Sequence, residues 1–127
     1  MHQFQKHFTL AEARALLPRL RELLREGQRW RELFAKADQR LSELRKEGGA
    51  DLGGSPVNAL LQALLQMRRQ LRGIEELGVQ LKDFERGLVD FPHLRDDREV
   101  FLCWELDEDD IEFWHDLDSG YAGRERL

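Results

Sequence analysis

The sequence predicts an α+β fold on three observations. An apolar repeat of seven runs through the N-terminal half of these 127 residues. A glycine-rich break interrupts it. After Gly78 the periodicity turns from helical to alternating. The expected architecture is a long antiparallel helical hairpin, a small three-stranded antiparallel sheet and a short C-terminal helix, all in one domain.

The first helix is expected over 10–47. "TLAE", Thr9 to Glu12, has the form of a capping box, in which the Thr9 hydroxyl accepts from the Glu12 N–H and the Glu12 carboxylate from the Thr9 N–H. Phe8 precedes it as a staple. Pro18 lies deep in this helix, where it removes a donor and crowds the carbonyl four residues back. A kink or break is therefore expected near Leu17, with a second helical segment starting at Pro18. Ala13, Leu20, Gly27, Phe34 and Leu41 recur every seven residues, and so do Leu16, Leu23, Trp30, Ala37 and Leu44, which makes a coiled-coil-like seam.

"EGGADLGGSP", Glu47 to Pro56, then breaks the chain. Ser55 suits an N-cap and Pro56 a first helical residue, so the second helix is expected over 56–77 with Gly78 as its C-terminal cap. Its seam reads Val57, Leu60, Leu64, Met67, Leu71 and Ile74. Leu61 and Leu65 widen that stripe beyond what one partner helix covers. The hairpin is therefore expected to pack on a second copy, as a four-helix bundle and a homodimer.

Residues 79–106 read as a β-meander. "LVDFP" puts Val89 and Phe91 on one face, with Leu88 and Asp90 on the other. "EVFLCWEL" puts Val100, Leu102, Trp104 and Leu106 on one face, with Phe101, Cys103 and Glu105 on the other. A strand apolar on both faces needs cover on both sides or pairing at its edge. "DEDDIEFWHDLD" reads as a short helix over 109–117 with its acids in the first turn. Residues 118–127, with two glycines, read as a wrapping tail.

The formal charge of −5 is unevenly spread. Residues 1–47 carry 11 Lys and Arg against 7 Asp and Glu, whereas residues 79–127 carry 6 against 15. The two halves are expected to attract each other, within one chain or between two. No clean basic stripe appears, so no nucleic-acid partner is expected. No run of about 18 apolar residues is present, and the N-terminus has no apolar leader, so neither a membrane nor export is expected. The single Cys fits a reducing, cytoplasmic setting.

Asp90, Glu105 and His115 are the candidate metal ligands, with Asp83 and Asp118 in reserve. Carboxylates and an imidazole in one small sheet unit suit a divalent metal or general acid–base work, including hydrolysis. No His-x-x-x-His or Cys-x-x-Cys spacing supports them. The competing reading is that they cap turns and pair with Lys82, Arg86, Arg95, Arg98 or Arg124. Cys103 with His115 as base would make a nucleophile, but a mid-strand thiol is more often a small core residue. "GGADLGG" lacks the Lys and Ser/Thr of a phosphate loop. Trp104, Phe113, Trp114 and Tyr121 either line a pocket or fill the layer between sheet and helix. Trp30 lies on the helical seam as a core residue, His93 reads as a turn residue, and His2 and His7 as facing water.

Two stretches, "FTLAEARALLPRL" from Phe8 and "KDFERGLVDFPHLRDDREVFLCWELDEDDIEFWHDLDSGYAGR" from Lys82, resemble a family of small bacterial proteins catalogued as domain of unknown function 2203. "GLVDFP", "CW", "WH" and "GYAGR" are its specific marks. Where the family often carries Gly-Glu, this chain has Asp107-Glu108, which either places Glu108 in question as a family-level functional residue or makes Asp107 a local substitution for a turn glycine. The resemblance implies a fold and a bacterial cytoplasmic setting, and no activity. The leading expectation is a homodimeric interaction or scaffold module, with a metal or carboxylate–His site at the sheet as the alternative.

Overall fold

The computed structural model describes residues 2–48 and 54–127. Most of the glycine-rich stretch between the helices lies outside the described residues. Helix α1 spans Leu10–Lys46 and helix α2 spans Ser55–Glu76. The capping box at Thr9 forms as expected: the Glu12 N–H donates to Thr9 Oγ1 at 3.1 Å and the Thr9 N–H to Glu12 Oε1 at 2.9 Å. The Phe8 N–H donates to the Pro92 carbonyl at 2.7 Å, which anchors the helix start to the sheet.

α1 runs through Pro18 as one helix rather than two segments. Pro18 and Arg14 are both exposed residues, so the proline and the backbone position it leaves without a donor lie away from the core. Ala13, Leu17, Leu20, Leu23, Leu24, Gly27, Ala37 and Leu41 are its buried residues. Gly27 is explained by a close approach: a Cβ there would sit 2.9 Å from the Phe84 ring. In α2 the seam departs from expectation. Ala63 and Ile74 are buried, while Leu64 is 49% exposed beside Leu61 and Leu65.

The sheet has five strands rather than three. They are β1 (Gln80–Asp83), β2 (Leu88–Arg95), β3 (Arg98–Glu105), β4 (Phe113–Asp116) and β5 (Glu125–Arg126), antiparallel and in chain order. The expected C-terminal helix is absent among the described residues. Its place is taken by β4, and the only helical piece beyond α2 is the 3₁₀ turn Tyr121–Gly123. The physical reason is packing on both faces of β4: Trp114 enters the core while Phe113 and His115 point to the other side. The acids before it serve a turn instead of a helix start. The Trp104 indole donates to the Glu108 carbonyl at 2.9 Å, and the Glu105 N–H to Glu108 Oε1 at 2.7 Å.

One face of the sheet packs on the helices. Val89, Phe91, Val100, Leu102, Trp104 and Trp114 meet Leu17, Leu20, Leu24 and Ile74, with Ile111 closing the end. The charge asymmetry is partly resolved within the chain. Arg14 Nε donates to Asp110 Oδ1 at 2.9 Å, Arg21 to the Asp109 carbonyl at 2.7 Å, and Arg31 pairs with Glu85. No helix among the described residues is long and apolar enough to cross a membrane.

Candidate functional site

The other face of the sheet carries the polar chemistry. In the β2–β3 ladder Asp90 stands directly opposite Cys103, and in the β3–β4 ladder His115 stands opposite Phe101, one pleat away. Residues so placed have side chains on one face within contact reach. Three potential ligand atoms, one each from Asp90, Cys103 and His115, lie within 4.8 Å of one another. Asp90 and His115 are each 2% exposed and Cys103 is 1%. The cover comes from the N-terminal arm. The Phe4 ring lies 5.4 Å from that of Phe101, which lies 5.5 Å from the His115 imidazole. The Lys82 ammonium sits 4.9 Å over Phe101.

The hydrogen bonds fix the proton count. His115 Nδ1 is 2.7 Å from the Asp116 carbonyl, which only accepts, so Nδ1 carries a hydrogen. Nε2 is 3.0 Å from Asp90 Oδ2. One proton therefore lies between imidazole and carboxylate, and the pair is neutral as a whole whichever atom holds it. Burial pushes the Asp90 carboxyl up, against the downward pull of His115. Burial likewise pushes the Cys103 thiol well up, so it stays protonated and is a poor nucleophile. Among the described residues no well-placed hydrogen-bond partner meets the buried Asp90 Oδ1. So closed a cluster can hold a proton or an ion; it offers no opening to an outside substrate.

The structure brings Asp90 and His115 together, and Glu105 is not part of their cluster. Its carboxylate accepts from Arg86 Nε at 2.8 Å and lies 4.0 Å from Arg124. Asp83 caps the β1–β2 turn, accepting from the Arg86 N–H at 3.1 Å. Asp118 is exposed in the turn after β4. Glu108 accepts from Arg124 at 2.9 and 2.7 Å, so its role is to clamp the tail. Arg124 also stacks over Phe113 at 3.9 Å and Tyr121 at 4.6 Å. Trp104 and Trp114 are core.

The sequence offers Cys103 beside His115 only as a nucleophile, and the clasp of Glu99 carries no local signal. Cys103 enters the cluster because both faces of β3 are buried. Glu99 is clasped by the N-terminal arm: the Gln3 and Phe4 N–H groups donate to it at 2.7 and 2.9 Å, and His7 Nε2 lies at 2.7 Å. Burial alone would raise the Glu99 carboxyl, yet the bonds from His7, Phe4 and Gln3 outweigh it and hold it at about 2. His7 thus pairs inward instead of facing water. His93 stands in β2, not in a turn, with Nδ1 2.6 Å from the Phe8 carbonyl.

The open surface of the molecule is elsewhere. Leu33, Leu61, Leu64 and Leu65 are 47%, 50%, 49% and 62% exposed on the hairpin. A cleft of about 700 Å³ beside them is lined by Trp30, Leu33, Ala37, Pro56 and Ala59.

Residues 6–127 match the family described as an uncharacterized conserved protein (DUF2203). No curated protein and no solved structure matches the chain. The chain belongs to that uncharacterized family, whose description names no activity.

Proposed function

We propose that this member of the uncharacterized conserved family is an interaction module that pairs with a second copy of itself through the open face of its helical hairpin. The observation that carries the reading is the run of half-exposed leucines, Leu61, Leu64 and Leu65 on α2 with Leu33 on α1. Leu33 also lines the cleft with Trp30, Ala37, Pro56 and Ala59, which Lys36 and Arg40 border. Side chains of this size rarely stay wet as a group on a lone domain.

A second copy is the occupant these residues favour. Leu61, Leu64 and Leu65 form one stripe along one helix, and such a stripe is self-complementary across a two-fold axis. Two hairpins so joined make a four-helix bundle, in which apolar residues outside the intrahairpin seam also become core. α2 carries no acid before Glu75, so no buried carboxylate opposes the pairing. The neutral, closed cluster in the sheet takes no part in it.

Analytical ultracentrifugation at micromolar concentration tests this. A dimer is expected for the native chain, and Leu61→Glu with Leu65→Glu is expected to weaken it at least a hundredfold while the far-ultraviolet spectrum stays the same. A native chain that sediments as a monomer overturns the proposal.

A further inference from the structure

We infer that Asp90, Cys103 and His115 form a binding site for one divalent transition-metal ion of zinc type, buried between the sheet and the N-terminal arm. The inference is independent of the pairing proposed above.

The geometry supplies the ligand atoms. Zinc takes imidazole nitrogen and carboxylate oxygen at roughly 2.0–2.2 Å and thiolate sulfur at about 2.3 Å, which in a tetrahedron sets ligand atoms roughly 3.3–3.7 Å apart. Here the three atoms already lie within 4.8 Å of one another, and Nε2 and Oδ2 are 3.0 Å apart. Small rotations of side chains would bring them onto one ion. The strands need not move, because the register alone places Asp90 opposite Cys103.

Two further observations point to an ion rather than to a purely structural pair. Asp90 Oδ1 is a buried carboxylate oxygen that no well-placed donor among the described residues satisfies, on a residue 2% exposed whose nearest further polar neighbour is the weakly donating Cys103 thiol. Leaving such an oxygen unsatisfied is costly, and a cation would satisfy it. His115 Nδ1, meanwhile, is bonded to the Asp116 carbonyl at 2.7 Å. That bond fixes the ring and leaves Nε2 as its ligating atom, an orientation common in metal-binding histidines.

The charges of the three side chains accommodate a dication. Without an ion, the protonated thiol and the proton shared by Asp90 and His115 make the cluster neutral. Binding one dication releases both protons to solvent and leaves thiolate, carboxylate and neutral imidazole around it, again neutral. A trivalent ion would leave net charge in a buried site, and a monovalent ion, displacing one proton, would leave the thiol unused as a thiolate ligand. The mix of one sulfur, one nitrogen and one oxygen ligand favours zinc over magnesium or calcium, which take oxygen alone.

Cobalt(II) titration of the metal-free chain is the test, because a cobalt–thiolate bond gives a near-ultraviolet charge-transfer band. Saturation at one ion per chain with that band is expected. Cys103→Ser should abolish the band, and Asp90→Asn should weaken binding at least tenfold. Both substitutions nearly preserve shape, and circular dichroism reports whether each variant stays folded. Zinc should displace the cobalt and erase the band. A native chain that binds no cobalt overturns the inference. So does a band that survives in folded Cys103→Ser, and so does cobalt bound without the band and lost in His7→Ala, which would place it at His2, His7 and Glu99.

Discussion

Strand β3 shows two kinds of interior on its two faces. On the helix side Val100, Leu102 and Trp104 are 0% exposed and touch apolar neighbours. On the other side Phe101 and Cys103 are 3% and 1% exposed, but their neighbours are Asp90, His115, Phe4 and Lys82. Burial is the same and the forces are not. The helix-side face is held by apolar area, which is non-directional and tolerates repacking. The arm-side face also rests on the directional Asp90–His115 contact, which leaves a buried polar group stranded if either partner goes. The lesson is that depth alone does not mark a site; what the buried atoms face does.

Substitutions on each face should separate these regimes. Trp104→Ala removes the largest fully buried side chain and its bond to the Glu108 carbonyl, and should cost about 4 kcal/mol by denaturant unfolding. His115→Ala should cost about 3 kcal/mol although it removes far less volume, because Asp90 is left buried without its partner. The contrast sharpens with a double variant, Asp90→Leu with His115→Phe, which should cost less than His115→Ala alone. A double variant that costs the sum of two singles would show that the two faces obey the same rule after all.

The arm supplies the smallest effect and a pH signature. Glu99 titrates at about 2 when folded, against 4.5 for its unperturbed value. A depressed folded value means that the arm's contribution is fully present above about pH 4.5 and is lost as pH falls toward 2. The difference in thermal midpoint between the native chain and Glu99→Gln should therefore be constant above pH 5 and shrink across that window. A difference that grows on acidification would contradict the assignment of the arm's hold to the Glu99 carboxylate.

Much of this was legible in the sequence, for identifiable reasons. The capping box and Gly78 act locally, so four residues announce them. Val89 and Phe91, and then Val100, Leu102 and Trp104, alternate cleanly because one sheet face is apolar core. Asp90 stood out as an acid in mid-strand, and His115 as an imidazole among aromatics. Strand β4 was missed because Phe113, Trp114 and His115 are large on both faces, which erases the alternation, while the preceding acids imitate a helix start. Leu64 was assigned to the seam because a 22-residue helix with leucines at 60, 61, 64 and 65 accommodates two stripes. Glu105 was grouped with Asp90 by its place on the strand, whereas Arg86 and Arg124 decide where its carboxylate points. The clasp of Glu99 by Gln3, Phe4 and His7 joins residues more than ninety positions apart, beyond the reach of any local pattern.

The sheet's two margins have a consequence for how chains meet. Edge strand β1 has four residues and a register shift between Leu81 and Asp83, and edge strand β5 has only two residues. A neighbouring chain finds no long flat row of unpaired amides there, and so no template for fibre growth. Among the described residues that leaves the half-exposed leucines of the hairpin, where the proposed two-fold pairing would close on itself and stop.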